Sequence, residues 1–216
     1  MRTIEFSGYH WIGKHGGEER RGPGPNYFSS SPENVWVDSQ GQLHLKVTHR
    51  NDRWYCAEVS LEDPLGYGTY EFSVNGRFDQ LDPYVVVGLF LYRDDTHEID
   101  VEFGRWGQRY GDNLQYVLQP GHLPDRIHRY EAKLNGDYTS HRIVWGKDSV
   151  SFRSLHGHYA GKTHLNHHLI TQWTFGKAYH TPTTERVHMN LWLVQGQSPI
   201  LGKEAEIVIT RFAFQQ

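Results

Sequence analysis

Between His97 and Phe103 the chain reads His-Glu-Ile-Asp-Val-Glu-Phe, an alternation that puts Glu98, Asp100 and Glu102 on one face of an extended strand and Ile99, Val101 and Phe103 on the other. Every second residue of a strand returns to the same face after about 6.6 to 7 Å, so Glu98 neighbours Asp100, and Asp100 neighbours Glu102. Like charges that close raise one another's pKa. No cation interrupts the acidic face, and Arg105 is the first to follow it. Such a row suits proton transfer and attack by a carboxylate. The competing reading is a solvated outer face of an edge strand.

The elements that would position this row are extended. Residues 42–48 alternate with period two after the turn Asp38-Ser39-Gln40-Gly41, and 67–74 run into an Asn75-Gly76 turn. Residues 84–92 are nearly continuous in apolar side chains, as in a strand buried on both faces, and lead directly into the acidic strand. Further strands are predicted at 113–119, 141–145, 150–154, 187–194 and 204–214. A turn or two of helix is predicted only within 126–134. Gly22-Pro23-Gly24-Pro25 and the stretch 154–184 read as long surface loops of the kind that shape a cleft at a sheet's rim. Many short strands separated by Gly, Pro, Asn and Asp turns predict an all-β sandwich or jelly roll of two packed antiparallel sheets, with the acidic strand inside one of them.

A chain of 216 residues can build one sizeable core, and a single domain over 1–216 is the expectation. The net charge of -3 and the lack of a basic cluster beyond the self-neutralising Glu18-Glu19-Arg20-Arg21 argue against a nucleic-acid partner. The single cysteine, Cys56, has no internal partner and reads as a small buried hydrophobe. No apolar run reaches membrane-spanning length, and residues 1–5 lack the apolar centre of a signal peptide. Aromatic residues make up 14% of the chain, with seven Trp and thirteen Tyr; such rings serve sheet cores and carbohydrate faces alike.

The string Glu98-Ile99-Asp100-Val101-Glu102-Phe103 resembles the signature of glycoside hydrolase family 16. Three more segments match in the same order, closest to that family's lichenase (β-1,3-1,4-glucanase) branch: Asn26-Tyr27-Phe28; Tyr55-Cys56-Ala57-Glu58 with Gly66-Tyr67-Gly68-Thr69-Tyr70-Glu71; and Met189-Asn190-Leu191-Trp192. The similarity covers about residues 26–214. It implies a concanavalin A-like jelly roll whose concave sheet binds a polysaccharide, with Glu98 as nucleophile, Glu102 as general acid/base and Asp100 as the assisting acid. The chemistry agrees. A retaining glycosidase needs two carboxyl groups roughly 5 to 5.5 Å apart. The Cα atoms of Glu98 and Glu102 lie about 13 Å apart at strand rise, so their side chains must lean together over Asp100. The resemblance further implies that Asn26, Glu58, Phe90, Gln115, Asn190 and Trp192 line the glucan cleft, Trp192 as a stacking platform.

The departures from the pattern are specific. The arginine that follows the Cys-Ala-Glu segment by two residues is Ser60 here, and the tryptophan that often precedes the signature by two is Thr96. Both losses weaken glucose recognition in the donor subsites. The cysteine that pairs with the position of Cys56 is missing, and the carboxylate that helps hold a structural calcium aligns near Val208, so neither a disulfide nor a metal or other cofactor is expected. Of the fifteen histidines, His156, His158, His164, His167 and His168 crowd one region without an accompanying carboxylate or cysteine pattern, which argues against a metal site. His97 is read as a cleft residue able to touch substrate or tune the acids beside it.

Three functions remain open: a retaining endo-glycosidase on a β-glucan, a transglycosylase on the same chemistry, and a non-catalytic carbohydrate-binding protein. The intact row of acids favours the first. Mixed-linkage β-1,3-1,4-glucan leads as substrate, followed by β-1,3-glucan and then a marine galactan such as carrageenan or agar. Family members act outside the cell, so an extracellular or periplasmic monomer is the expectation.

Overall fold

The computed structural model describes residues 2–159 and 166–216. Its strands are β1 (Arg2–Phe6), β2 (Tyr9–Gly13), β3 (Tyr27–Phe28), β4 (Val35–Val37), β5 (Leu43–Arg50), β6 (Arg53–Leu61), β7 (Gly68–Asn75) and β8 (Val85–Asp94). They continue with β9 (His97–Phe103), β10 (Leu114–Leu118), β11 (Ile127–Tyr130), β12 (Tyr138–Trp145), β13 (Val150–His156), β14 (Leu169–Phe175), β15 (Arg186–Leu193) and β16 (Ala205–Gln215). The helical turns among the described residues are three-residue 3-10 segments.

Hydrogen-bonded neighbours follow one path, β11-β10-β9-β8-β15-β6-β5-β16-β7-β12-β13-β14, with β1 and β2 extending it from β6. The pairings are antiparallel except that β3 lies parallel to β6. The path turns over at the β5–β6 hairpin, which makes a front layer from β11 to β6 and a back layer from β5 to β14. Rings cross between the layers: Tyr116 of β10 stacks on Phe152 of β13 at 4.7 Å, Phe103 of β9 meets His141 of β12 at 4.8 Å, and Trp11 of β2 sits edge-on to Phe212 of β16 at 5.3 Å. The jelly-roll expectation holds, and β9 lies inside the front layer between β8 and β10.

The apolar face of β9 explains its place. Ile99, Val101 and Phe103 are fully buried, as are Val87, Leu89 and Leu91 on β8 and Met189 and Leu191 on β15. Alternation then sends the acids to the outer face of the front layer. The core also holds a polar strand of contacts: Tyr116 donates its hydroxyl proton to Ser154 Oγ at 2.7 Å, and His141 joins Ser154 and Thr139 at 2.8 Å each.

Two expectations are corrected. The segment predicted as helical within 126–134 is the edge strand β11, paired to β10 through Leu114↔Tyr130 to Val117↔Ile127; pairing to an open edge outweighs a weak helical tendency that no cap supports. The predicted loop 154–184 contains β14, whose alternation Leu169-Ile170-Thr171-Gln172-Trp173 pairs against β13. His164 lies outside the described residues. His158 donates to the Val74 carbonyl at 3.0 Å and His168 meets the Tyr159 hydroxyl at 3.1 Å, so both are engaged by protein groups.

Candidate active site

Register across the front layer assembles the site in rows. One row reads Arg129, Gln115, Glu102, Gly88, Asn190, Glu58 from β11 to β6. The next reads Val117, Asp100, Phe90, His188, Ser60. Tyr92 stands opposite Glu98 in the third. Strands of alternating sequence in fixed register therefore place the residues of three distant segments side by side.

A cleft of about 380 Å³ lies over these rows. Glu98, Asp100 and Glu102 line it, with Glu58, Gly88, Phe90, Tyr92, His188, Asn190 and Trp192 around them, and Gly22 and Pro23 forming one wall. Asp100 is buried at 3% exposure, and Glu98 and Glu102 are half-buried. Burial pushes Glu98 up to about 8, helped by the charge of Glu102, and lifts Asp100 well above the usual carboxylate range, helped by Glu98 and Glu102. The Glu98 and Asp100 carboxyls lie close enough to influence each other's protonation, and the nearby Gln119 side chain opposes the rise at Asp100. Burial also raises Glu102, against the opposing pull of Gln115 and Arg129. Gln115 Nε2 donates to Glu102 Oε2 at 2.6 Å, while its Oε1 accepts from Arg129 Nε at 3.1 Å. Three acids that close, one buried and two half-buried, titrate as a group and hold protons at pH values where free carboxylates do not.

Glu58 is buried and both its oxygens are taken. Lys14 Nζ donates to Oε2 at 2.9 Å and His188 Nδ1 reaches Oε1 at 3.2 Å. Although burial raises its pKa most, those two partners together hold Glu58 below its ordinary value. The His188 ring stacks on Phe90 at 5.1 Å. The cation beside Glu58 thus comes from Lys14 in the stretch after β2, while Ser60 pairs with His188 and Ile12. Asn190 is 2% exposed, and its Oδ1 has no hydrogen-bond partner among the described residues.

Solved structures match almost the whole chain. The β-glucanase of Bacillus licheniformis is 19% identical with a TM-score of 0.67, over 95% of this chain and 92% of that one. A β-1,3-glucanase from Mycobacterium marinum is 16% identical with a TM-score of 0.69, over 98% and 93%. A protein of Mycobacterium tuberculosis described as an immunostimulatory antigen and pseudo β-1,3-glucanase is 17% identical with a TM-score of 0.68, over 95% and 91%. The chain has the β-glucanase fold. No protein-family model and no curated protein matches the sequence.

Within this glucanase fold, seven of the nine residues singled out from the sequence line the cleft: Glu98, Asp100, Glu102, Glu58, Phe90, Asn190 and Trp192. Two do not. Asn26 is buried beneath the wall, where Nδ2 donates to the Pro23 and Leu193 carbonyls at 2.8 Å each and ties the Gly22-Pro25 loop to the end of β15. Gln115 stands behind Glu102 and orients its carboxyl. His97 also leaves the cleft, since alternation turns it away from Glu98; Nδ1 meets Asp94 Oδ1 at 2.8 Å and its ring abuts His180. The cleft residues not singled out from the sequence are Lys14, Gly88, Tyr92, Asp95 and His188 among others. Period two from Asn190 and Phe90 marks His188, Gly88 and Tyr92; nothing local marks Lys14.

Proposed function

We propose that the protein is a retaining endo-acting β-glucan hydrolase of the family 16 type. The observation that carries this reading is the row of three carboxyls, Glu98, Asp100 and Glu102, on the floor of a cleft lined by Phe90, Tyr92 and Trp192. The Asn190 oxygen left without a partner suits a sugar hydroxyl, since buried polar atoms are otherwise paired.

In the proposed reaction a Glu98 oxygen attacks the anomeric carbon while the bond to the leaving sugar's oxygen breaks and Glu102 gives that oxygen its proton. Water then gives a proton to Glu102 and adds its oxygen to the anomeric carbon, displacing Glu98. Asp100, more deeply buried than Glu98 and set between Glu98 and Glu102, keeps the proton that the acids share and offers it to the Glu98 carboxylate. On the lichenase resemblance, mixed-linkage β-1,3-1,4-glucan leads as substrate, then β-1,3-glucan, and Lys14 and His188 stand in the cleft beside Glu58. A soluble polymer substrate accords with an extracellular monomer.

The test is reducing-sugar release from barley β-glucan, laminarin, xyloglucan, carrageenan and agarose, with a Glu98→Gln control. The expected result is turnover of one β-glucan, abolished in Glu98→Gln with polymer binding kept. A Glu98→Gln protein with near-normal rate overturns the mechanism, and binding without turnover by the native protein assigns it a carbohydrate-binding role instead.

A further inference from the structure

Glu98 sits where its ladders run out. The β9–β10 register ends at Ile99↔Leu118, and on the other side the β8–β9 register shifts between Tyr92 and Asp94. Beyond the ladder, Gln119 N donates to the Glu98 carbonyl at 3.0 Å. Strand ends with few partners open most readily, yet a reacting group displaced by 1 Å loses on the order of 100-fold in rate. Something must hold this end of the strand.

Tyr179, 81 residues further along the chain, reaches it from the connection between β14 and β15. Its hydroxyl oxygen accepts the Glu98 N–H at 3.2 Å, and its proton faces the Gln119 carbonyl at 2.5 Å and the Glu98 carbonyl at 2.9 Å. The ring is covered by the Arg126 guanidinium, 5.0 Å from its centroid. Burial pushes the phenol up to about 12, so the hydroxyl keeps its proton throughout the neutral range. The Gln119 side chain is itself fixed, since its Oε1 accepts the Gly121 N–H at 2.8 Å, and it lies near Asp100. One hydroxyl therefore pins the main chain of Glu98 and the main chain of its cross-strand neighbour Gln119.

We propose that Tyr179 is a positioning residue for the nucleophile: its hydroxyl closes the open end of the β9–β10 ladder and fixes the Glu98 carboxyl in its attacking position. This rests on the hydrolase reading given above. The test is Tyr179→Phe, which keeps the ring under Arg126 and removes only the hydroxyl, assayed on the preferred glucan and on an aryl glycoside with an activated phenol leaving group.

The expected result is a fall in kcat of about 10- to 100-fold with KM within threefold. The loss should be equal on both substrates, because attack by Glu98 is impaired while protonation by Glu102 is not. A kcat within threefold of the native value, or a loss confined to KM or to thermal stability, overturns the proposal. An independent measurement on the native protein is amide hydrogen exchange at Glu98. Protection there comparable to Ile99 is expected, and rapid exchange overturns the proposal whatever the variant does. A native protein inactive on every polymer would count against the hydrolase reading alone, and the exchange measurement would still decide the role of Tyr179.

Discussion

Glu102 is held by a chain of side chains from β10 and β11. Gln115 Nε2 faces its carboxyl, and Arg129 fixes the Gln115 amide so that nitrogen rather than oxygen points inward. Burial raises Glu102, in the direction that a proton donor to a leaving group needs, while Gln115 and Arg129 oppose that rise. If that is its role, the leaving group decides how much it matters. Glu102→Ala is expected to lose at least 100-fold in kcat/KM on glucan, in line with the roughly 10²–10⁴-fold contribution of a positioned acid, and far less on an activated aryl glycoside. Steady-state rates on the two substrates check this, and equal losses would remove the acid role.

At the scale of elements, the cleft exists because two strands pack with almost nothing between their acids and amides. Gly88 lies between Glu102 and Asn190 in register, and a Cβ there would meet Asn190 Oδ1 at 2.5 Å and Phe90 Cδ1 at 3.2 Å. Gly88→Ala is expected to raise KM several-fold and to destabilise by about 1–3 kcal/mol, the usual cost of overfilling a packed site; thermal unfolding and glucan kinetics measure both. Much of this layer was legible in the sequence, because period two assigns a face to every residue once a strand is recognised. The acidic strand declared itself that way, and β8 did so by its continuous apolar run. What stayed hidden depends on pairing between distant segments. The edge strand β11 has mixed exposed residues, Ile127 and Tyr130 beside Arg129, with no alternation to announce it. Lys14 and Tyr179 act from connections whose course is set by tertiary packing, and Asn26 holds a wall where the resemblance placed it in the lining.

For the molecule as a whole, the site is a source of instability. Asp100 is raised in the folded protein and ordinary in the unfolded one, so between its unfolded and folded pKa the folded state holds a proton that the unfolded chain has released. Stability from this group is complete below the ordinary Asp range and falls as pH rises, by up to about 1.4 kcal/mol per pH unit. Asp100→Asn carries no such charge. It is expected to unfold at a higher temperature than the native protein at pH 8, with the difference shrinking toward pH 4, while losing most activity. Calorimetry at the two pH values checks the sign; a variant less stable than the native protein at pH 8 would show that Asp100 is ionised and well compensated where it lies.

The position of β16 carries a consequence for how the chain reaches this structure. It inserts between β5 and β7 in the back layer, through Ala205↔Val47 to Ile209↔Leu43 on one side and Val208↔Asn75 to Gln215↔Thr69 on the other. Its register with β5 joins residues from 158 positions apart, Ala205 and Val47, to 166 apart, Ile209 and Leu43. During synthesis β5 and β7 emerge early and face each other across a gap that only β16 fills. Closing so long a loop comes late and slowly, and until then the back layer is two sheets with raw inner edges, open to pairing with other nascent chains. Yield in a cell will therefore turn on how long that gap stays open, and chaperones that shield it should raise recovery without altering the finished fold.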